Sequence, residues 1–203
     1  MYTQHPLRMI KKIVIIGPES TGKSTLSERL ANHFNTIWCP EYAREYLLQN
    51  GVRYAYDDLL KIAQGQLVME DYCESVVSSE SSVVNELITK SSPLAAQSSL
   101  LFIDTNMYVM KVWYEYVFGK CEQFVLDEIA ARQYDLYLLC HIDLPWVPEP
   151  MREYPDEGIR SELYNIYKDI LINQRTPWFE IRGNSEGRLQ KAINAVHHYC
   201  LAQ

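Results

Sequence analysis

A chain of 203 residues with a formal net charge of -7 has the size of one globular domain, or of one domain with a small lid. The acidic balance excludes the basic surface that a nucleic-acid partner requires, and no apolar run is long enough to span a bilayer. The five cysteines form no C-x-x-C pair, so they predict neither a zinc site nor a disulfide framework, and residues 1–12 lack the apolar core of a signal peptide. We therefore expect a cytoplasmic protein without nucleic-acid or membrane partners.

The first predicted strand, residues 12–16, leads into the string GPESTGKS at residues 17–24, a complete G-x-x-x-x-G-K-[ST] motif. A helix over residues 22–34 follows, because Leu26, Leu30 and Phe34 recur at one-turn spacing. In this setting backbone N–H groups surround the phosphates, the lysine reaches the β- and γ-phosphates, and the serine hydroxyl can ligate Mg²⁺. The predicted nucleotide-binding residues are Gly17, Glu19, Ser20, Thr21, Gly22, Lys23, Ser24 and Thr25.

A short second strand, residues 36–39, delivers Glu41 and Arg44 to the carboxyl edge of the predicted sheet. Open α/β sheets bind their ligands at that edge. Glu41 is a candidate to accept the proton of a reacting hydroxyl, and Arg44 is a candidate phosphate ligand. The alternative for Arg44 is an exposed charge on a helical turn.

The next predicted elements are a helix over residues 57–74 and a strand over residues 100–104. The serine-rich stretch between them, residues 75–99, is expected to be a mobile insert. Four apolar residues followed by Asp104 have the form of a Walker B strand, which predicts that Asp104 and Ser24 hold magnesium. The alternative is an acid that merely caps the end of a strand.

The second half of the chain continues the alternation of helices and strands. Helices are predicted over residues 105–119, around residues 125–130, over residues 161–174 and at the C-terminus, and strands over residues 134–140 and 178–181. His141 and Asp143 receive no role beyond that of a solvated strand end. The alternation predicts an α/β P-loop nucleoside/nucleotide kinase fold, with a five-stranded parallel sheet and helices on both faces.

A charged, proline-broken segment at residues 148–160 is a candidate lid, and its Arg152 and Arg160 are candidates to neutralise phosphate charge. The sequence contains no N-K-x-D string, the motif that would recognise a guanine base, so a GTPase is disfavoured. A small acidic domain with such a lid favours a small-molecule kinase that uses ATP, because closure keeps water away from the nucleotide. The predicted catalytic residues are Lys23, Glu41, Asp104, Arg152 and Arg160.

Four stretches in order resemble the ribosylnicotinamide kinase domain of NadR-type proteins: GPESTGKS at 17–24, EYARE at 41–45, FIDT at 102–105, and Trp146 followed by GIR at 158–160. The resemblance spans about residues 12–195. It implies ATP- and Mg²⁺-dependent phosphorylation of the 5′-hydroxyl of nicotinamide riboside, which gives nicotinamide mononucleotide for NAD biosynthesis. The substrate-side residues that it implies are Glu41, Tyr42, Arg44, Asp104, Asn106 and Trp146, with Trp146 against the nicotinamide ring.

The chain departs from that family in Asn106, where the family pattern has a second aspartate, and we expect it to match the kinase part of such proteins alone. Two alternatives stay open. One is a kinase for another nucleoside or nucleotide, and the other is a nucleotide-dependent regulatory ATPase or switch. If the protein is a kinase, its partner is a small nucleoside substrate. The sequence leaves the oligomeric state open, and a homo-oligomer is one alternative.

Overall fold

The computed structural model describes residues 10–80 and 99–201. Its strands and helices are β1 (Lys11–Ile16), α1 (Lys23–Phe34), β2 (Trp38–Cys39), α2 (Tyr42–Asn50), α3 (Tyr56–Glu80), β3 (Leu100–Asp104), α4 (Met107–Phe118), α5 (Gln123–Ala131), β4 (Leu136–Cys140), α6 (Glu157–Ile172), β5 (Trp178–Ile181) and α7 (Ser185–Val196). A π-helical turn, His197–Leu201, follows α7. The insert predicted at residues 75–99 lies mostly outside the described residues, and its first six residues are the end of α3.

The five strands form one sheet in the order β2-β3-β1-β4-β5, and every neighbouring pair is parallel. This confirms the five-stranded parallel sheet predicted from the sequence. Because all strands run the same way, their carboxyl ends share one edge. The phosphate loop, the segment before α2, Asp104 and the start of the residue 141–156 loop therefore meet there.

Both faces of the sheet are covered, which explains why the strands read as continuous apolar runs. Ile13 and Ile15 of β1 belong to a core shared with α1 and α7. Val14 and Ile16 belong to a second core, shared with α3, α4 and α6. A third cluster joins α2, α3, α4 and α5 in an outer layer. Within the described ranges no helix is long and apolar enough to cross a membrane.

Helix α2 was not predicted, because only Ala43 and Leu47 of its nine residues are buried and they give too weak a periodic signal. Its position depends on α3. A Cβ atom on Gly65 of α3 would lie 2.0 Å from Cε1 of Tyr42, so the glycine makes the space in which α2 packs. Gly65 therefore allows a helix contact without ending α3.

Helix α6 begins at Glu157, four residues earlier than predicted. The Asp156 side chain accepts a hydrogen bond of 2.9 Å from the N–H of Ile159 and caps the first turn. The last four residues of the segment predicted as a lid, including Arg160, thus lie in the first turn of α6. The rest of that segment is loop.

Candidate functional site at the carboxyl edge of the sheet

The phosphate loop has the backbone geometry that its glycines allow. Gly17 has a φ of 142°, and a Cβ there would lie 2.7 Å from the carbonyl oxygen of Cys140, so a larger residue would not fit. The Thr21 hydroxyl donates a 2.7 Å hydrogen bond to the carbonyl of Pro18 inside the loop. No side chain caps α1 at Gly22. The first N–H groups of α1 are therefore available to an anion.

Lys23 and Ser24 connect this loop to the end of β3. Lys23 Nζ donates to the carbonyl of Pro18 at 3.0 Å, and Ser24 Oγ donates to Asp104 Oδ2 at 2.5 Å. The structure thus places Asp104 beside the serine of the phosphate loop. The other carboxylate oxygen, Oδ1, is buried without a hydrogen-bond partner. Burial, together with the negative charge of Glu41, raises the pKa of Asp104 to about 6.

These two side chains fit a magnesium ion. The unpartnered Asp104 Oδ1 and the hydroxyl of Ser24 are hard oxygen donors, which Mg²⁺ prefers. No cluster of three or more His, Cys, Asp or Glu side chains able to hold a metal occurs in the described part of the chain. The protein would therefore supply few ligands itself, as is usual for Mg²⁺ bound together with nucleotide phosphates and water.

Glu41 is held in place by two residues that were not among the predicted site residues, Thr105 and Gln66. The Thr105 hydroxyl donates to Glu41 Oε1 at 3.4 Å, and Thr105 has a φ of 79°, which a β-branched residue rarely adopts. Gln66, buried in α3, donates to the carbonyl of Pro40 at 3.2 Å and accepts from the N–H of Tyr42 at 2.7 Å. Both neighbours of Glu41 are thereby fixed. The available signal was the position of Gln66 on the buried stripe of α3.

A cavity of about 570 Å³ extends from the phosphate loop to α2, α4 and the loop before α6. Its walls carry six aromatic side chains, from Trp38, Tyr54, Trp113, Tyr116, Tyr154 and Tyr167. Tyr54 and Trp113 meet edge to face with 4.9 Å between ring centroids, and Trp113 Nε1 donates to the Tyr54 hydroxyl at 2.8 Å. The cavity is thus large enough for a nucleoside and rich in flat apolar surface.

The charged side chains that line the cavity are four carboxylates and three cations, namely Glu19, Glu41, Glu149, Glu153, Lys23, Arg44 and Arg152. The formal sum is -1 before any nucleotide binds. A carboxylate near aromatic faces suits a cationic ring better than an anionic one.

The loop before α6 is hydrogen-bonded to the phosphate loop. The Glu19 carboxylate accepts from the backbone N–H groups of Glu153, at 3.1 Å, and of Tyr154. Arg152 Nη1 donates to Ser20 Oγ at 3.1 Å. Residues of the predicted lid therefore close one side of the cavity.

Four of the predicted substrate residues do not line the cavity, and one of them is Asp104, which lies behind Ser24. The ring of Tyr42 packs against Gly65 of α3. Asn106 caps α4 by accepting from the N–H of Tyr108 at 3.1 Å, and it donates to the Tyr137 hydroxyl at 3.2 Å.

Trp146, the last of these residues, lies with the two lid arginines. The guanidinium carbons of Arg152 and Arg160 are 6.0 and 5.6 Å from the centroid of the Trp146 ring system. Arg160 is buried and does not line the cavity, and its Nη2 donates to the carbonyl of Ser20 at 3.4 Å. Arg160 therefore contacts the phosphate loop from outside the cavity.

Asp143, predicted only as a solvated strand end, has a structural role. The buried Arg188 of α7 forms an ion pair with Asp143 and donates to the carbonyls of Thr21 at 2.9 Å, His141 at 2.7 Å and Gly183 at 2.8 Å. The pair fastens the phosphate loop to the loops after β4 and β5. Its signal in the sequence was an arginine on the apolar stripe of a helix that also carries Ala192.

Known proteins similar to this chain were found by sequence and by structure. A family model described as an AAA domain matches residues 12–188. The chain is 26% identical over 192 residues to the trifunctional NAD biosynthesis/regulator protein NadR of Salmonella typhimurium, covering 92% of this chain and 42% of that protein. It is 28% identical over 166 residues to the protein of the same name from Escherichia coli, covering 80% of this chain and 36% of that one. The chain thus spans about two fifths of the length of these curated relatives.

Solved structures with the same fold include a crystal structure of NadR in complex with NR. It superposes with a TM-score of 0.66 at 23% identity, covering 96% of this chain and 53% of that one. Thymidylate kinase from Ehrlichia chaffeensis superposes with a TM-score of 0.55 at 14% identity, covering 94% of this chain and 100% of that one. The chain belongs to the AAA domain family, has the P-loop kinase fold, and is similar to NadR over most of its length.

Proposed function

We propose that this chain transfers the γ-phosphoryl group of ATP to the 5′-hydroxyl of a nucleoside, and that the nucleoside is nicotinamide riboside. The observation that carries the proposal is a single cavity that joins a complete phosphate loop to the Glu41 carboxylate and to aromatic walls. The similarity to NadR proteins, whose name includes NAD biosynthesis, supports the choice of acceptor.

On the nucleotide side, the backbone of residues 17–22 and the start of α1 bind the phosphates of ATP, with Lys23 moving from the Pro18 carbonyl to the phosphate oxygens. Ser24 and Asp104 would hold Mg²⁺, which supplies positive charge at the β- and γ-phosphates when bound. Arg152 and Arg160, which already contact Ser20, add charge as the loop at residues 148–156 closes. In this role the loop and the first turn of α6 act as the lid.

On the acceptor side, Glu41 accepts the proton of the 5′-hydroxyl as its oxygen attacks the γ-phosphorus. The bond from that phosphorus to the β–γ bridging oxygen breaks, ADP leaves with the electron pair, and the phosphate monoester remains on the acceptor. Thr105 and Gln66 keep the carboxylate at this point. The negative charge of Glu41 helps to raise the pKa of Asp104, so the two carboxylates lie close to each other, and only Glu41 lines the cavity where the hydroxyl would bind.

For the acceptor ring, the aromatic pair of Tyr54 and Trp113 offers a flat face inside the cavity, whereas Trp146 lies beside Arg152 and Arg160 outside it. A pyridinium ring carries a positive charge and would be attracted both by aromatic faces and by a lining whose formal charge is -1. We therefore assign the ring to Tyr54 and Trp113, and assign Tyr42 and Asn106 to supporting roles. Because ATP is abundant in the cytoplasm, we also propose a cytoplasmic protein.

The test is ADP release by the purified protein with ATP and Mg²⁺, measured with nicotinamide riboside and with a panel of other nucleosides and nucleotides. A rate that rises at least about tenfold only with nicotinamide riboside is expected. Glu41→Gln should lower kcat about 100-fold or more, since a general base contributes on that order, with little change in the Kd for ADP.

Two results would contradict the proposal. Stimulation by a different nucleoside or nucleotide would keep the phosphotransfer and change the acceptor. ATP binding with no stimulation by any acceptor would instead favour a nucleotide-dependent switch.

A further inference from the structure

Two arginines, one from α2 and one from the loop before α6, meet on one carboxylate. Arg44 of α2 donates from both Nη1 and Nη2 to Glu149 Oε2, each at 3.1 Å. Arg152, in the loop before α6, pairs its Nη2 with Glu149 Oε1 at 2.6 Å. All three side chains line the cavity. Glu149 thus uses both carboxylate oxygens to hold two guanidinium groups together.

Two converging guanidinium groups form the usual binding site for a phosphate monoester, because their N–H forks match its oxygens. Arg44 lies one turn of α2 after Glu41, whereas Arg152 also contacts Ser20 of the phosphate loop, so the arginine pair lies where the acceptor and the nucleotide phosphates would meet. A phosphate on the acceptor would reach this pair. In the structure, however, a carboxylate of the protein already occupies it.

We infer that Glu149 makes the acceptor site selective for unphosphorylated nucleosides, by occupying the arginine pair that would otherwise bind a phosphate monoester. The inference rests on the proposed function, and it specifies the class of acceptor as nucleosides that carry no phosphate. A neutral hydroxyl leaves the three-residue cluster intact, whereas a nucleotide must displace the Glu149 carboxylate or lie against its negative charge. The same repulsion acts on the product once it carries its new phosphate, and favours its release.

The charge balance of the cavity supports this assignment. With Glu149 ionised the lining has a formal charge of -1, and without that charge it would be zero, with Arg44 and Arg152 no longer paired with a carboxylate. Glu149 lies on a loop whose neighbour Glu153 also lines the cavity, yet the Glu153 carboxylate accepts from the Tyr54 hydroxyl at 2.8 Å rather than from an arginine. Glu153 is therefore a matched control of the same charge.

The experiment compares wild type, Glu149→Gln and Glu153→Gln by calorimetric titration in saturating ADP and Mg²⁺. The probes are nicotinamide riboside, nicotinamide mononucleotide, adenosine monophosphate and inorganic phosphate. We expect Glu149→Gln to bind the phosphate-bearing probes about tenfold tighter or more, because a like charge within hydrogen-bond range is removed. Its affinity for nicotinamide riboside should not rise, because that acceptor carries no phosphate, and Glu153→Gln should bind inorganic phosphate within about twofold of wild type.

A double variant, Arg44→Gln with Glu149→Gln, locates the effect. It should bind the phosphate-bearing probes no tighter than wild type, because the Arg44 guanidinium group that would bind the phosphate has been removed. The inference is overturned if Glu149→Gln binds those probes no tighter than wild type, if it gains equally for nicotinamide riboside, or if the gain survives in the double variant.

The inference and the proposed function fail in different ways. Inorganic phosphate carries no base, so a gain in its binding by Glu149→Gln supports the role of Glu149 even if nicotinamide riboside is not the acceptor. Conversely, turnover of nicotinamide riboside with no change in phosphate binding supports the proposed function and contradicts the role of Glu149.

Discussion

At the scale of single residues, Asp104 shows how a site can oppose stability. Its carboxylate is buried, one oxygen has no partner, and its pKa is raised from 3.8 to about 6. A carboxyl group that holds its proton more tightly in the folded state makes the free energy of unfolding fall as pH rises from about 4 to about 6. Two pKa units correspond to about 3 kcal/mol, so at neutral pH the metal-free protein carries a penalty of that order.

Asp104→Asn should therefore make the metal-free protein more stable at pH 7.5, by about 1–2 kcal/mol, since it removes the buried charge and keeps an acceptor for Ser24. At pH 4, where Asp104 is protonated in the folded state, the gain should be lost. Urea unfolding at both pH values measures the difference. The same variant should lose Mg²⁺-dependent ADP release, and equal stability of variant and wild type at pH 7.5 would contradict the account.

At the scale of secondary-structure elements, the contact between α2 and α3 determines where the acceptor-side residues lie. Glu41 and Arg44 stand at the start of α2, and α2 is placed by Tyr42, whose ring occupies the space above Gly65. Alanine is favoured over glycine in a helix by about 1 kcal/mol, but here its Cβ would overlap a ring held by packing. Local propensity and tertiary packing therefore oppose each other at residue 65.

Gly65→Ala should lower the free energy of unfolding by about 1–3 kcal/mol, because overpacking outweighs the gain in helix propensity. It should also raise the KM for the acceptor more than the KM for ATP, since α2 moves and the phosphate loop does not. Chemical denaturation and steady-state kinetics measure the two effects. Adding Tyr42→Leu should restore most of the stability, and a more stable single variant would show that the ring does not occupy that space.

At the scale of the whole molecule, the two edges of the sheet have different roles. The carboxyl edge carries the candidate site, while the amino edge is held by a buried carboxylate, Glu70. Its oxygens lie 3.5 Å from Lys12 Nζ and 3.2 Å from Arg132 Nη1, and accept from the Tyr134 hydroxyl at 3.1 Å. This network ties α3 to the starts of β1 and β4.

Glu70→Ala should lower the free energy of unfolding by about 1–3 kcal/mol, because Lys12 and Arg132 lose the buried carboxylate that they share and keep only their more exposed partners. ADP affinity of the folded variant should stay within about twofold, since Glu70 lies at the edge opposite the phosphate loop. Unfolding curves and calorimetry separate the two effects. Lys61→Ala, which breaks an exposed pair with Asp58, should change stability by less than about 1 kcal/mol, and a loss as large as that of Glu70→Ala would refute the distinction.

The sequence by itself determined the sheet, the phosphate loop and the position of Asp104 at the end of β3. Each depends on a pattern within a few residues: apolar runs buried on both faces, glycines at forced backbone angles, and an acid after a strand. In a parallel sheet all carboxyl ends share one edge, so knowing the strands was enough to bring these residues to the same edge.

The tertiary structure alone decided the cavity wall and the residues that hold the site in place. Gln66 reaches the segment around Glu41 from a helix 25 residues later, and Arg188 fastens the phosphate loop from α7. Trp113 enters the cavity while Trp146 lies outside it, and Glu149 meets an arginine 105 residues away. The apolar stripes of α3 and α7 indicate that Gln66 and Arg188 are buried, but the partners of all these residues depend on how helices and loops pack across the sheet, and the periodicity of the sequence does not identify a partner at that range.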